Sequence, residues 1–325
     1  MSDPIGAVRR NVADRTVGRG STRKRKKEKA RCRFFRSTDW ITRTVVGESP
    51  THPPCSSSRG WVCRKKLGPR PLVETLVARG YQVIAPDNRD AGASSRMTDW
   101  HVTGADVARA IGRALLRRPV VGEYALEDMA LDALRLLDEL GIRRAHVAGV
   151  SMGGMIAQTL AVQSPNRVAT LTSISSASGN PRTGLGKFGT IWSILRPCGK
   201  TPREQILKTL RVLSGPAYPV TEDELNRYLE QLPNFDRDLS AVFRQVVALL
   251  SSGDRSEQLR RIRAPTLVVH GTADPLLPFS AGRETAELIP GAELWAVEGM
   301  GHQLPWTFME TLGARMAAFM NRYPV

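Results

Sequence analysis

An α/β architecture is expected from this chain: a mostly parallel sheet flanked by helices, with a helical cap inserted between two of its strands. Three features lead there. From Pro71 onward, short and almost continuous apolar runs alternate with helical patterns, as in strands buried on both faces and joined by crossover helices. One such run, Ala145 to Val150, passes straight into the turn Gly149-Val150-Ser151-Met152-Gly153-Gly154 and then into a helix. Residues 179–255 interrupt the alternation, because they carry helical patterns alone.

The regular part opens with Leu72, Val73, Leu76 and Val77, a helical stripe closed by Gly80. Tyr81 to Ala85 reads as a strand, followed by the loop Asp87-Asn88-Arg89-Asp90 and Gly92. Arg89 and Asp90 are read as structural, an ion pair or turn caps that tie the loop to the sheet, since no chemistry follows from them. Ala110 to Leu116 reads as a short loop helix. Met129, Ala133, Leu136, Leu137 and Leu140 share one helical face, which Gly141 ends. The strand Ala145–Val150, a helix from Met155 to Ser164, and the strand Val168–Ile174 come next.

In the cap, Thr201-Pro202-Arg203-Glu204 and Thr221-Glu222-Asp223-Glu224 are capping boxes, the first with Pro at the opening helical position. They start helices carrying Ile206, Leu207, Leu210 and Leu213, then Leu225, Tyr228, Leu229 and Leu232. A third helix carries Leu239, Val242, Phe243, Val246, Val247 and Leu250. Asp254 to Arg263 returns to the core. Thr266–His270 and Glu293–Val297 are the last strands, and Phe308, Leu312, Met316 and Phe319 form a final helix against the sheet.

The chemistry centres on Ser151. A serine that attacks a carbonyl must project from a tight strand-to-helix turn, and Gly149 and Gly153 let strand and helix approach there. Met152 then offers its backbone N–H to a developing oxyanion, with a helix N-terminus behind it. Asp274 lies in Gly271-Thr272-Ala273-Asp274-Pro275, just after a strand. His302 lies in Glu298-Gly299-Met300-Gly301-His302, just after the next. Ser, Asp and His in that order, each at a strand end, form a candidate nucleophile, orienting carboxylate and general base. No Walker motif, G-x-G-x-x-G or metal-ligand spacing occurs, so no cofactor and no metal is expected.

On these residues the chain resembles the α/β-hydrolase superfamily. More narrowly it resembles the esterase, lactonase and methylesterase group that carries P-D-N-R-D-x-G-x-S, G-x-S-M-G-G and G-M-G-H. Here those motifs are Pro86 to Ser94, Gly149 to Gly154 and Gly299 to His302. The resemblance runs from about Pro71 to the C-terminus. It implies the α/β-hydrolase fold and hydrolysis of a small-molecule carboxylic ester or lactone through an acyl-enzyme. The group also includes cofactor-free haloperoxidase-like enzymes, which the motifs do not separate. Phe188, Ile191, Trp192 and Trp306 are candidate pocket-lining residues, each equally compatible with plain core.

The formal net charge of +16 suggests a nucleic-acid partner until its distribution is considered. Residues 1–70 carry a net +14 and the remaining 255 only +2, so the body of the chain is nearly neutral. The run Arg23 to Arg33 reads as a solvated charge run rather than a nucleic-acid arm. The chain divides into 1–46, a basic stretch without period; 47–178 with 256–325, the core; and 179–255, the cap. Cys32, Cys55, Cys63 and Cys198 show neither zinc spacing nor a disulfide framework. No apolar run approaches membrane length and no signal-peptide pattern is present, so no membrane partner and a cytoplasmic location are expected. Composition leaves the oligomeric state open.

One stretch conflicts with the rest. A central strand and the loop supplying a second oxyanion donor are expected just before the helix at Leu72. Residues 54–70 instead read P-C-S-S-S-R-G-W-V-C-R-K-K-L-G-P-R, which is polar and basic. Read from the third base of each codon, Pro54 to Gly68 permits L-L/F-V/I-V/I-A-G-L-G-M-Q-K/E-K/E-T-W. That is an apolar strand followed by the loop of the resembled family, and its second loop glycine is forced by Trp61 and Val62. The stretch is therefore expected to be translated out of frame relative to its relatives, with the slip near Pro54. A hydrolase weakened by a disrupted oxyanion strand, or a non-catalytic protein on the same scaffold, is the alternative reading.

Overall fold

The computed structural model describes residues 44–48, 70–92, 94–184, 186, 189–191, 199, 201–231 and 238–325. All of them fall within one unit, Phe34–Val325. Residues 54–69 of the polar stretch before Leu72, the basic run Arg23 to Arg33, and Phe188 and Trp192 lie outside the described residues.

The strands, in chain order, are β1 (Thr44–Glu48), β2 (Gln82–Ile84), β3 (Ala145–Val150), β4 (Val168–Ile174), β5 (Thr266–Gly271) and β6 (Glu293–Val297). They form one sheet in the order β2-β1-β3-β4-β5-β6. From β3 to β6 every pairing is parallel. These strands are short apolar segments, and β3, β4 and β5 are buried almost throughout, as expected where helices cover both faces.

β1 runs antiparallel to both neighbours, with Thr44 opposite Gly149 and Gly47 between His146 and Val83. Gly47 is thus paired on both sides, and Glu48 pairs with Gln82 of β2. The segment is only T-V-V-G-E, too short for its period to show, and its glycine mimics a turn signal.

The helices α1 (Arg70–Ala78), α2 (Gly104–Leu115), α3 (Leu126–Glu139) and α4 (Met152–Gln163) belong to the first half. α2 begins six residues before the expected loop helix and is capped by Thr103, whose side chain accepts from the Asp106 N–H while Asp106 accepts from the Thr103 N–H. Between β4 and β5 come α5 (Pro202–Leu213), α6 (Glu222–Gln231), α7 (Leu239–Ser251) and the single turn α8 (Ser256–Leu259). Thr201 and Thr221 cap α5 and α6 as their sequences indicate, each hydroxyl accepting the N–H three residues on. α9 (Phe279–Leu288) joins β5 to β6, and α10 (Met309–Met320) packs its Met309, Leu312, Met316 and Phe319 with Leu72 and Leu76 of α1.

The helix after the serine is the most deeply buried. Met155, Ile156, Ala157, Leu160 and Ala161 of α4 lie in the same apolar cluster as Met129, Ala130 and Ala133 of α3. Burying that surface fixes α4 against the sheet, and so fixes the turn at its N-terminus.

Candidate active site

β3 ends where α4 begins, and Ser151 is the hinge. Its backbone has φ 55° and ψ −120°, a conformation L-residues rarely adopt and one that costs on the order of 1–3 kcal/mol unless the surroundings enforce it. They do. The Ser151 N–H donates to the Ile174 carbonyl at 2.8 Å, and its carbonyl accepts from the Ser176 hydroxyl at 2.9 Å. A Cβ on Gly149 would stand 2.1 Å from the Gly153 carbonyl oxygen, so only glycine lets strand and helix come this close. The sequence signal for this contact was the motif itself; Ser176 had none.

The turn lifts the Ser151 hydroxyl to His302. Ser151 Oγ and His302 Nε2 are 3.0 Å apart, and His302 Nδ1 is 2.8 Å from Asp274 Oδ2. Asp274 Oδ1 accepts the N–H groups of Leu276 and Leu277 at 2.8 and 2.9 Å. Because a carboxylate accepts, the imidazole carries its proton on Nδ1 and presents a bare Nε2 to the serine hydroxyl. Ser151, Asp274 and His302 are all buried. The three residues expected from chain order are therefore brought together, 28 and 151 residues apart along the chain, into one hydrogen-bonded row.

Met152 is the first residue of α4 and is buried beside Ser151. The first N–H groups of a helix have no intrahelical acceptor, so its N–H is available where the helix dipole favours negative charge. A second donor would come from the segment before α1, outside the described residues. Of the candidate pocket residues, Ile191 is half-buried. Trp306 stands edge-on to Tyr228, with the Arg227 guanidinium over its ring, and lines a cavity of about 300 Å³ with Tyr218 and Glu224 rather than any described contact of Ser151.

Two long-range ties carried no sequence signal. The loop bearing His302 is held by the C-terminal end of α5: the Leu213 carbonyl accepts both the His302 and Gln303 N–H groups, at 2.8 and 3.2 Å. A backbone acceptor leaves no mark in a sequence. The loop at Asp90 is held by Arg244 of α7, whose charge is hidden in an apolar helix. Arg89, read like Asp90 as a structural tie of this loop, pairs in a bidentate way with Asp132 of α3 and lies over the Tyr124 ring. Among the described residues, no group of His, Cys, Asp and Glu side chains is arranged to hold a metal ion, and no helix is long and apolar enough to cross a membrane.

Comparison with known proteins agrees with this fold. A family model described as the alpha/beta hydrolase fold matches residues 56–308, starting about fifteen residues before Pro71, where the resemblance read from the sequence begins. The chain is 30% identical over 275 residues to the rhodomycin D methylesterase DnrP of Streptomyces peucetius, covering 78% of this chain and 86% of that protein. A meta-cleavage product hydrolase of Pseudomonas fluorescens IP01 superposes with a TM-score of 0.55 at 17% identity, over 78% of this chain and 84% of the other. The enol-lactonase of Burkholderia xenovorans LB400 gives a TM-score of 0.53 at 20% identity, over 77% and 84%. A strained serine elbow on a parallel sheet, the same family's model over most of the length, and relatives of matching extent lead to one assignment: the chain belongs to the α/β-hydrolase fold family.

Proposed function

We propose that this protein hydrolyses a small-molecule carboxylic ester or lactone through an acyl-enzyme, with Ser151 as nucleophile, His302 as general base and acid, and Asp274 as its orienting partner. One observation carries the reading. The Ser151 hydroxyl, the His302 imidazole and the Asp274 carboxylate are in hydrogen-bond contact at 3.0 and 2.8 Å, on a backbone turn that holds the serine forward.

As Ser151 Oγ attacks the carbonyl carbon, its proton passes to His302 Nε2. The imidazolium that forms keeps its Nδ1–H on Asp274, which stabilises the positive charge and holds the ring in place. Negative charge gathers on the former carbonyl oxygen, where the Met152 N–H and the α4 dipole stabilise it. His302 then returns the proton to the leaving alkoxide. Water, deprotonated by the same nitrogen, releases the acid and restores Ser151. No step calls for a cofactor.

The similarity to a methylesterase over most of both chains favours a simple alkyl ester as the substrate class. The helices α5 to α7, placed between β4 and β5, set what reaches Ser151. The test is covalent. An organophosphonate ester should label Ser151 alone, as read by peptide mass spectrometry, and Ser151→Ala and His302→Ala should each abolish hydrolysis of a short-chain aryl ester to a similar extent, because the two act as a unit. Label on another residue, or full activity in Ser151→Ala, would overturn the mechanism.

A further inference from the structure

A second histidine lies beside the Ser151 row and takes no part in the chemistry above. His270 is the fifth residue of β5, and its side chain is fully buried. Its Nε2 is 2.9 Å from the Leu277 carbonyl oxygen. A carbonyl only accepts, so this nitrogen bears the proton, and Nδ1 is the bare one. Nδ1 is buried without any hydrogen-bond partner. Burial pushes the imidazole pKa below its ordinary value, against the opposing pull of Asp274 and the Leu277 carbonyl, so the ring is held neutral.

The position of that proton matters for Asp274. Nε2 stands 3.5 Å from Asp274 Oδ2, the oxygen that receives the His302 Nδ1–H. The turn from Asp274 to Leu277 is thus fixed from two sides. Asp274 Oδ1 takes the N–H groups of Leu276 and Leu277, while His270 takes the Leu277 carbonyl from beneath. The ring is closely packed on its other side. A Cβ on Gly282 of α9 would meet its Nδ1 at 2.4 Å, and Phe279 of the same helix packs edge-on against it at 6.3 Å between centroids. The charged or titratable groups felt at His270 are Asp274 and His302.

We propose that His270 is a positioning residue for Asp274. As a neutral imidazole protonated on Nε2, it ties down the Leu277 carbonyl and sets a positive N–H dipole against Asp274 Oδ2, so that the carboxylate stays aimed at His302. The bare Nδ1 is the consequence: the strand gives up one hydrogen bond on the Gly282 side to have the proton on the Asp274 side. An unpartnered buried nitrogen is otherwise costly, by about 1–3 kcal/mol, and an apolar residue at this strand position would avoid it. This role rests on the assignment of Ser151, His302 and Asp274 as the reacting row.

The test separates aim from folding. His270→Phe keeps a planar ring against Gly282 and removes the N–H, whereas His270→Gln places an amide N–H at similar reach. His270→Phe should lower kcat about 10- to 100-fold with KM nearly unchanged, as expected when a reacting group is misaimed by a fraction of an ångström, and His270→Gln should recover most of that loss. In histidine-selective 15N spectra of the wild-type protein, His270 should show a protonated Nε2 and a bare Nδ1 at neutral pH. The low-field proton signal of His302 Nδ1–H should weaken in His270→Phe and return in His270→Gln. If His270→Phe does not fold, the 15N assignment and His270→Gln still decide the matter. A proton on Nδ1 of His270, or a His270→Phe protein with wild-type kcat and an intact His302 signal, would overturn the proposal. Full activity in Ser151→Ala would instead remove the hydrolase reading beneath it, so the two failures are distinguishable.

Discussion

Arg244 and Asp90 form a buried bidentate ion pair that fastens α7 to the loop after β2. The guanidinium reaches the two carboxylate oxygens at 2.7 and 3.0 Å, and the side chains are 3% and 0% exposed. Asp90 also accepts the Met97 N–H and the Tyr124 hydroxyl, both at 2.9 Å. Burial alone would raise the Asp90 carboxyl pKa, but these donors together hold it below its ordinary value. Arg244 sits in α7 and Asp90 in the loop after β2, so the pair joins elements 154 residues apart. The Gln245 side chain adds a bond to the Arg89 carbonyl at 2.8 Å.

Removing one member strands the other charge in the interior. Asp90→Ala and Arg244→Ala should each destabilise the protein by about 3–5 kcal/mol, the range for a buried pair broken from one side. Replacing both, as Asp90→Asn with Arg244→Met, should cost clearly less than the sum, because no uncompensated charge remains. Urea denaturation of the three proteins measures this directly. Additive losses would show that the pair does not act as a unit.

A second prediction concerns acid. His146 in β3 bonds Thr170 through Nδ1 at 2.9 Å, stands edge-on to Tyr81, and leaves Nε2 buried without a partner. Burial, with the Arg144 charge adding to it, lowers its pKa from the ordinary 6.5 to about 4. The folded state therefore holds the proton more weakly than the unfolded chain. Stability from this group is intact above the unfolded value of 6.5, falls as pH drops through the window, and levels off below the folded value near 4. His270, whose pKa is also lowered, adds to the same limb. Melting temperature should fall as pH drops from 6.5 toward 4, and His146→Val should flatten part of that fall. An unchanged slope in the variant would show that other groups set the acid limb.

What the sequence disclosed follows a physical divide. β3 and β4 were legible to the residue, because strands buried on both faces leave unbroken apolar runs; β6, a partly exposed edge strand, also has the expected bounds. Ser151, Asp274 and His302 were legible because a strained turn needs glycine beside it and because each residue closes a strand. Arg244 was not, since a charge that pairs across 154 residues looks like an interruption in the apolar face of α7. Leu213 was not, since its contribution to His302 is a backbone carbonyl. β1 was not, since five residues with an internal glycine carry no usable period. His270 was legible as a strand residue, but its proton position is set by Leu277, and only three-dimensional placement reveals that.

The last prediction concerns residues 54–67 and the strand beside β3. A strand that feeds α1 would run parallel to β3, as β4 does on the other side. In the structure the place next to β3 is taken by the antiparallel β1, with Thr44 opposite Gly149 at the edge of the Ser151 turn. The sequence as written offers no apolar run between Pro54 and Leu67 to compete for that place, whereas the alternative frame of the same codons does. Each large apolar side chain buried in such a strand contributes roughly 1.5–3 kcal/mol. Several together are comparable with the whole net stability of a domain, about 5–15 kcal/mol. The loop after that strand is also where a second oxyanion donor arises, and lacking it costs on the order of 100- to 1000-fold in rate. Replacing Cys55 to Leu67 with the peptide of the other frame should therefore raise both the melting temperature and the ester-hydrolysis rate over the sequence as written. The two proteins, purified in parallel and assayed on one short-chain aryl ester, give the comparison, and the nucleotide sequence around codons 50–70 shows whether the apolar frame is encoded. A protein already stable and fast as written, and no better when replaced, would mean that the second donor comes from the existing residues and that the frame inference is wrong.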